Sequence, residues 1–126
     1  MKFSFIVIDD RELDCFIAEK MIEKSGLSKD VRCFNEPKLA LEAIAGEKSA
    51  DHAVILLDIM MPVMNGFDFM EEFEKFDENI KQKYRIVAIT TSLNKNDISR
   101  INEFNSVFAV LKKPYTIEDL VKLLDA

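Results

Sequence analysis

The chain has no tryptophan, one histidine, two cysteines, three glycines and three prolines in 126 residues. Each scarcity excludes something. Cys15, Cys33 and His52 contain no Cys-x-x-Cys and lack zinc-ligand spacing, so neither a disulfide framework nor a zinc site is expected. Cys15 falls in a helical pattern and Cys33 in a strand, and both are expected reduced, as small buried hydrophobes. With three glycines in all, none in the "DDREL" that follows the first strand-like run, there is no glycine-rich loop to approach a phosphate. No apolar run approaches the about 20 residues that cross a bilayer. "MKFSFIVIDD" carries one lysine and a short apolar run that stops at two aspartates, which reads as a strand rather than a signal peptide. The expected compartment is therefore cytoplasmic, without membrane insertion. Basic residues are outnumbered 23 to 17, leaving a formal charge of −6, which repels phosphate backbones and argues against direct nucleic-acid binding.

What is present is apolar material, 48% of the chain, enough for a sizeable core in one domain. It is arranged in strict alternation. Strand-like runs occupy 3–8, 31–34, 53–57, 85–90 and 107–111, and helical patterns 12–26, 35–46, 65–76, 95–104 and 116–126. In the first helix Leu13, Ile17 and Met21 recur at i+4, with Gly26 as C-cap. In the second, Asn35 is the candidate cap and Pro37 lies in the first turn. In the last, Ile117, Leu120, Val121 and Leu124 form one stripe behind a Thr116–Asp119 capping pair. "AVILL" (53–57) has no polar alternation, as suits a central parallel strand covered on both faces. Five strands alternating with five helices predict a doubly wound α/β sheet, whose chemistry gathers at the carboxyl ends of the strands.

Those ends carry the polar residues that matter. The first strand stops at Asp9-Asp10, the third at Asp58, the fourth at Thr90-Thr91-Ser92, and the fifth at Lys112-Lys113-Pro114. Three carboxylates on one rim repel one another unless a cation intervenes. Hard oxygen ligands at an open cleft suit Mg²⁺, and a lysine opposite offsets a further charge. A carboxylate so placed can attack phosphorus to give an acyl phosphate, with the metal, lysine and hydroxyls on the transferring group.

Asp9-Asp10, Asp58 in "DIMMPVMNG", Thr90 ending "VAIT" and Lys113 in "KKPYT" together resemble the receiver domain of two-component response regulators, over the whole chain. The resemblance implies a flavodoxin- or CheY-like sheet in the order 2-1-3-4-5. It implies Asp58 as phosphoacceptor for a sensor histidine kinase or a histidine phosphotransfer protein. Mg²⁺ would be held by Asp10 directly, Asp9 mainly through water, Asp58 and the Met60 backbone carbonyl. Lys113 would pair with Asp58 and then with the phosphoryl group, Thr90 would hydrogen-bond that group, and Pro62, Gly66 and Pro114 would shape the adjoining loops. Lys113-Pro114 would be a cis peptide. The domain would catalyse only its own phosphorylation and dephosphorylation, and no output domain is read in the chain. Where the family usually carries Tyr or Phe three residues before the lysine, this chain has Val110. The signal is then expected to leave through the loop "TSLNKND", with Phe108 on the same strand face as Val110.

Other readings compete. A haloacid dehalogenase-type phosphatase also uses a strand-end aspartate, but needs a second Asp where Met60 stands. A flavin or dinucleotide binder lacks its loop. An interaction module with a dead site is disfavoured by the complete Asp, Asp, Asp, Thr, Lys set. Thr91 competes with Thr90, Lys112 reads as a plain exposed lysine, and His52 is placed at the rim opposite the site. Phe67, Phe69, Phe73 and Phe76 read as core.

Overall fold

The apolar runs fold as β1 (Phe3–Ile8), β2 (Ser28–Phe34), β3 (Ala53–Asp58), β4 (Tyr84–Thr90) and β5 (Val107–Lys112). The helices between them are α1 (Glu12–Ser25), α2 (Pro37–Gly46), α3 (Gly66–Phe73), α4 (Glu78–Lys81), α5 (Lys95–Asn102) and α6 (Ile117–Asp125). The structure is a computed structural model that describes residues 2–47, 52–61, 64–91 and 95–125. All strand pairs are parallel, in the order β2-β1-β3-β4-β5. Among the described residues no helix is long and apolar enough to cross a membrane.

Strand periodicity of two divides the core. Ile6, Ile8, Ile55, Leu57, Ile86 and Ala88 point to the side covered by α2, α3 and α5, where Phe69 and Phe73 supply the bulk. Phe5, Val7, Val54, Leu56, Val87 and Ile89 point to the side covered by α1 and α6. Every residue of β3 is buried, as a strand with helices on both faces must be. Each fully buried Leu, Ile or Phe removes apolar area worth roughly 1.5–3 kcal/mol. The direction of winding reverses between β1, whose helix lies on one face, and β3, whose helix lies on the other. The crevice at that switch point holds the candidate site.

Several local expectations are revised. The described residues form six helices rather than five, because the four-residue α4 interrupts the connection after α3. The buried face of α1 is Cys15, Ala18 and Ile22, while Leu13 and Ile17 of the expected stripe are 62% and 49% exposed, and Phe16 is exposed beside them. Small side chains at 15 and 18 let the helix approach the sheet closely, and the larger residues are left facing out. Cys33 is exposed rather than buried, because β2 is an edge strand with a neighbour on one side only; Cys15 is buried as expected. Asn35 does not cap α2: Glu36 holds that position, and the Asn35 amide donates instead to the Asp9 carbonyl at 2.9 Å. A shift of register between Ile86 and Val87 of β4 takes up one extra residue of β5. Val107 and Val110 therefore pack against the same cluster, whereas Phe108 lies under the Arg85 guanidinium at 5.0 Å, so strand alternation does not place it with Val110.

The caps at Gly26 and Thr116–Asp119 form as read. Gly26 adopts φ 77° and closes α1, and Thr116 and Asp119 exchange backbone-to-side-chain bonds at 2.9 and 3.0 Å. A second capping box, Asn65–Asp68, starts α3 next to the site. His52 is exposed at the amino end of β3, the rim away from the site.

Candidate functional site

Asp9 follows β1 directly and is buried. Its Oδ1 accepts from the Arg11 backbone N–H at 3.0 Å, so the turn into α1 fixes the carboxylate. Its Oδ2 accepts from Lys113 Nζ at 3.0 Å. Asp10 is exposed at the mouth. Asp58 ends β3 with 8% of its surface exposed, and its Oδ1 accepts from the Met60 backbone N–H at 3.2 Å. Carboxylate oxygens of Asp9, Asp10 and Asp58 lie within 4.8 Å of one another, an all-oxygen set that fits a hard divalent cation.

The electrostatics follow from that crowding. Burial pushes the Asp58 carboxyl up to about 6; Lys113 opposes the rise, Asp9 adds to it, the Met60 N–H opposes it, and Asp10 adds to it. A dication beside the three carboxylates would remove much of this penalty, which is the physical test that the donor set passes. Lys113 itself is lowered by burial but raised more by the Asp9 hydrogen bond and the charges of Asp58, Asp9 and Asp14, so it stays an ammonium.

The expected residues converge with differences in detail. Lys113 reaches the site from the end of β5, its N–H held by the Thr90 carbonyl at 2.9 Å, and Lys113-Pro114 is cis. Its ion pairs are with Asp9 at 3.0 Å and Asp14 at 3.4 Å rather than with Asp58. Lys112 is exposed. Thr90 ends β4 and is buried, while Thr91 is exposed and lines the cleft with Asp58. Met60 is exposed just past Asp58. The Gly66 N–H bonds the Ile59 carbonyl at 3.0 Å, tying α3 to the loop after Asp58. Pro62 and residues 92–94 of the "TSLNKND" loop lie outside the described residues.

Two residues escaped the sequence reading. Asp14 lies in the first turn of α1, where an acid is ordinary. Tyr115 follows the proline and lines the same cleft of about 400 Å³, with its phenol pushed up to about 12 by burial.

Known proteins are similar to this chain in fold and in sequence. A receiver-domain protein from Dyadobacter fermentans superposes with a TM-score of 0.90 at 32% identity, covering 98% of this chain and 95% of that one. Vibrio cholerae chemotaxis protein CheY4 superposes with a TM-score of 0.80 at 21% identity, covering 99% and 98%, a likeness of fold. Hybrid signal transduction histidine kinase G of Dictyostelium discoideum is 32% identical over 122 residues, and the aerobic respiration control sensor protein ArcB of Escherichia coli 29% over 119. Each alignment takes in 94% of this chain, which spans only 3% and 14% of those two proteins. The family model described as the response regulator receiver domain matches residues 5–125, and the chain belongs to that family of two-component signalling domains.

Proposed function

We propose that Asp58 accepts a phosphoryl group from the phosphohistidine of a sensor histidine kinase or a histidine phosphotransfer protein, in a Mg²⁺-dependent reaction. The observation that carries this is a buried strand-end carboxylate within 4.8 Å of two others, in a cleft with a lysine. The Asp58 carboxylate forms the O–P bond as the donor's N–P bond breaks, and the imidazole leaves with the electron pair. Asp10, Asp58 and the Met60 carbonyl would hold the metal, with Asp9 mainly through water, and when bound it neutralises charge on the transferring group. Lys113 and the Thr90 hydroxyl donate to the phosphoryl oxygens. Leu13, Phe16 and Ile17, exposed on α1 beside the cleft, offer the donor protein an apolar seat.

Acetyl phosphate with Mg²⁺ should add one phosphoryl group by intact mass. Asp10→Ala should weaken Mg²⁺ binding by about tenfold or more, since loss of an outer-shell partner alone costs roughly 10–100-fold, and should slow labelling accordingly. Equal Mg²⁺ affinity in variant and parent would refute the metal assignment.

The output step in this reading passes through the loop after β4 rather than through an aromatic switch. Val110 is half-buried against the core, and its short stiff side chain has no ring to swing. Phosphorylation should therefore move backbone amide resonances across residues 91–97. A silent 91–97 segment, with shifts confined to the surroundings of Asp58, would exclude this route.

A further inference from the structure

Phosphoryl transfer to Asp58 has an evident use for Asp9, Asp10 and Lys113 but none for Asp14. Yet Asp14 is built into the same cleft. It sits on the first turn of α1 with about a quarter of its side chain exposed, and its Oδ2 lies 3.4 Å from Lys113 Nζ. The Arg11 guanidinium approaches that oxygen only at 3.8 Å and is largely in solvent, so Lys113 is the closer cation. Asp14 stands outside the three-carboxylate cluster and faces it across the ammonium. An ammonium has three donors. In the structure one is directed to Asp9 at 3.0 Å and another toward Asp14. To bind phosphoryl oxygens on Asp58, Lys113 has to redirect part of this set.

We infer that Asp14 is a positioning residue that holds Lys113 in the resting site and competes with the phosphoryl group for it. Asp14 thereby sets how readily Asp58 is phosphorylated. This rests on the phosphoacceptor reading above and adds to it a residue from the first turn of α1. An acid in a first turn also complements the helix dipole, but that role is structural: its loss lowers stability and has no reason to tighten binding of a phosphoryl analogue.

The test uses beryllofluoride with Mg²⁺ as the analogue, titrated by amide shifts, and acetyl phosphate for rates. Asp14→Asn should bind beryllofluoride roughly two- to fivefold more tightly, the scale of a partly exposed ion pair. It should label faster by a similar factor at low acetyl phosphate, with little change in the rate at saturation. Neutralising Asp14 also removes a charge that repels any anion, so the gain is measured again in a Lys113→Met background, where it should vanish. Should Lys113→Met bind too weakly to titrate, the side-chain Nζ resonance of Lys113 in analogue-free protein is compared between parent and Asp14→Asn, and it should move. Unchanged or weaker binding by Asp14→Asn, an undiminished gain without the lysine, or an unmoved Nζ resonance would each overturn the role of Asp14 alone. A parent that does not label, or an Asp58→Asn variant that does, would remove the phosphoacceptor reading and this inference with it.

Discussion

Asp58→Asn should abolish labelling by acetyl phosphate and, in metal-free protein at pH 7, raise stability by up to about 3 kcal/mol. The two effects have one cause. An ordinary aspartate has the reference value 3.8, whereas burial, with Asp9 and Asp10 adding to it against Lys113 and the Met60 N–H, pushes Asp58 up to about 6. Each unit of difference corresponds to about 1.4 kcal/mol between protonation states. The sign is opposite to that of a carboxylate stabilised by a salt bridge. Below about pH 4 Asp58 is protonated in both folded and unfolded protein, and its ionisation costs nothing. Between about 4 and 6 the folded state holds the proton longer, so stability falls as pH rises. Above about 6 the full penalty is present. Asparagine has nearly the same shape, keeps an oxygen for the Met60 N–H and carries no charge. The parent-to-variant difference in urea unfolding should therefore be largest above pH 6 and disappear near pH 4. Mg²⁺ should narrow it by stabilising the parent preferentially. A parent as stable as the variant at pH 7 without metal would show that Asp58 is not strained by its neighbours.

Much of this architecture is legible in the amino-acid sequence, for a physical reason. In a doubly wound sheet the strands are continuous apolar runs, and polar residues are admitted at the ends where the backbone reaches water. Asp9, Asp58, Thr90 and Lys113 thus mark both where strands stop and where chemistry can occur. The site residues converge through topology, since β1 and β3 are adjacent only because the winding reverses there. Less legible is whatever depends on how closely elements approach. Leu13, Ile17 and Met21 correctly signal a helix, but the choice of buried face falls to Cys15 and Ala18, because small residues allow tight packing on the sheet. α4 is a single turn, too short to display a period. The β5 irregularity is invisible to alternation, which therefore puts Phe108 on the face of Val110. Asn35 has the chemistry of a cap but spends its amide on the Asp9 carbonyl, a contact across 26 residues that no local rule predicts. Asp14 could be suspected only by asking what lies about one turn beyond the acidic pair, in the helix that follows it.

The three glycines allow a sharper test of how the sheet and the site are joined, because the same substitution should have three different outcomes. At Gly46 an added Cβ meets nothing within 4 Å, and the residue is helical. Gly46→Ala should be neutral or stabilise by up to about 1 kcal/mol. Gly26 has open space too, but φ 77°, so Gly26→Ala should cost about 1–2 kcal/mol for the left-handed backbone alone. Gly66 differs from both. Its Cβ would lie 2.5 Å from Ile59 Cδ1 and 2.7 Å from Ile59 Cα, with the Asp58 carbonyl oxygen at 3.2 Å. The Ile59 methyl could rotate away, but its Cα cannot. Ile59 is buried, its N–H bonded to Ile89 and its carbonyl to Gly66 itself, so relief requires α3 to move off the strand end. Overpacking of this kind costs about 1–3 kcal/mol or more, and here the displaced segment is the one that presents Met60 to Asp58. Gly66→Ala should therefore be the most destabilising of the three, at about 3 kcal/mol, and the only one to slow acetyl phosphate labelling markedly. Denaturant midpoints and initial labelling rates decide it. A Gly66→Ala protein no less stable than Gly26→Ala and labelled at the parent rate would mean that close packing of α3 on the Asp58 loop does not hold Asp58 in place.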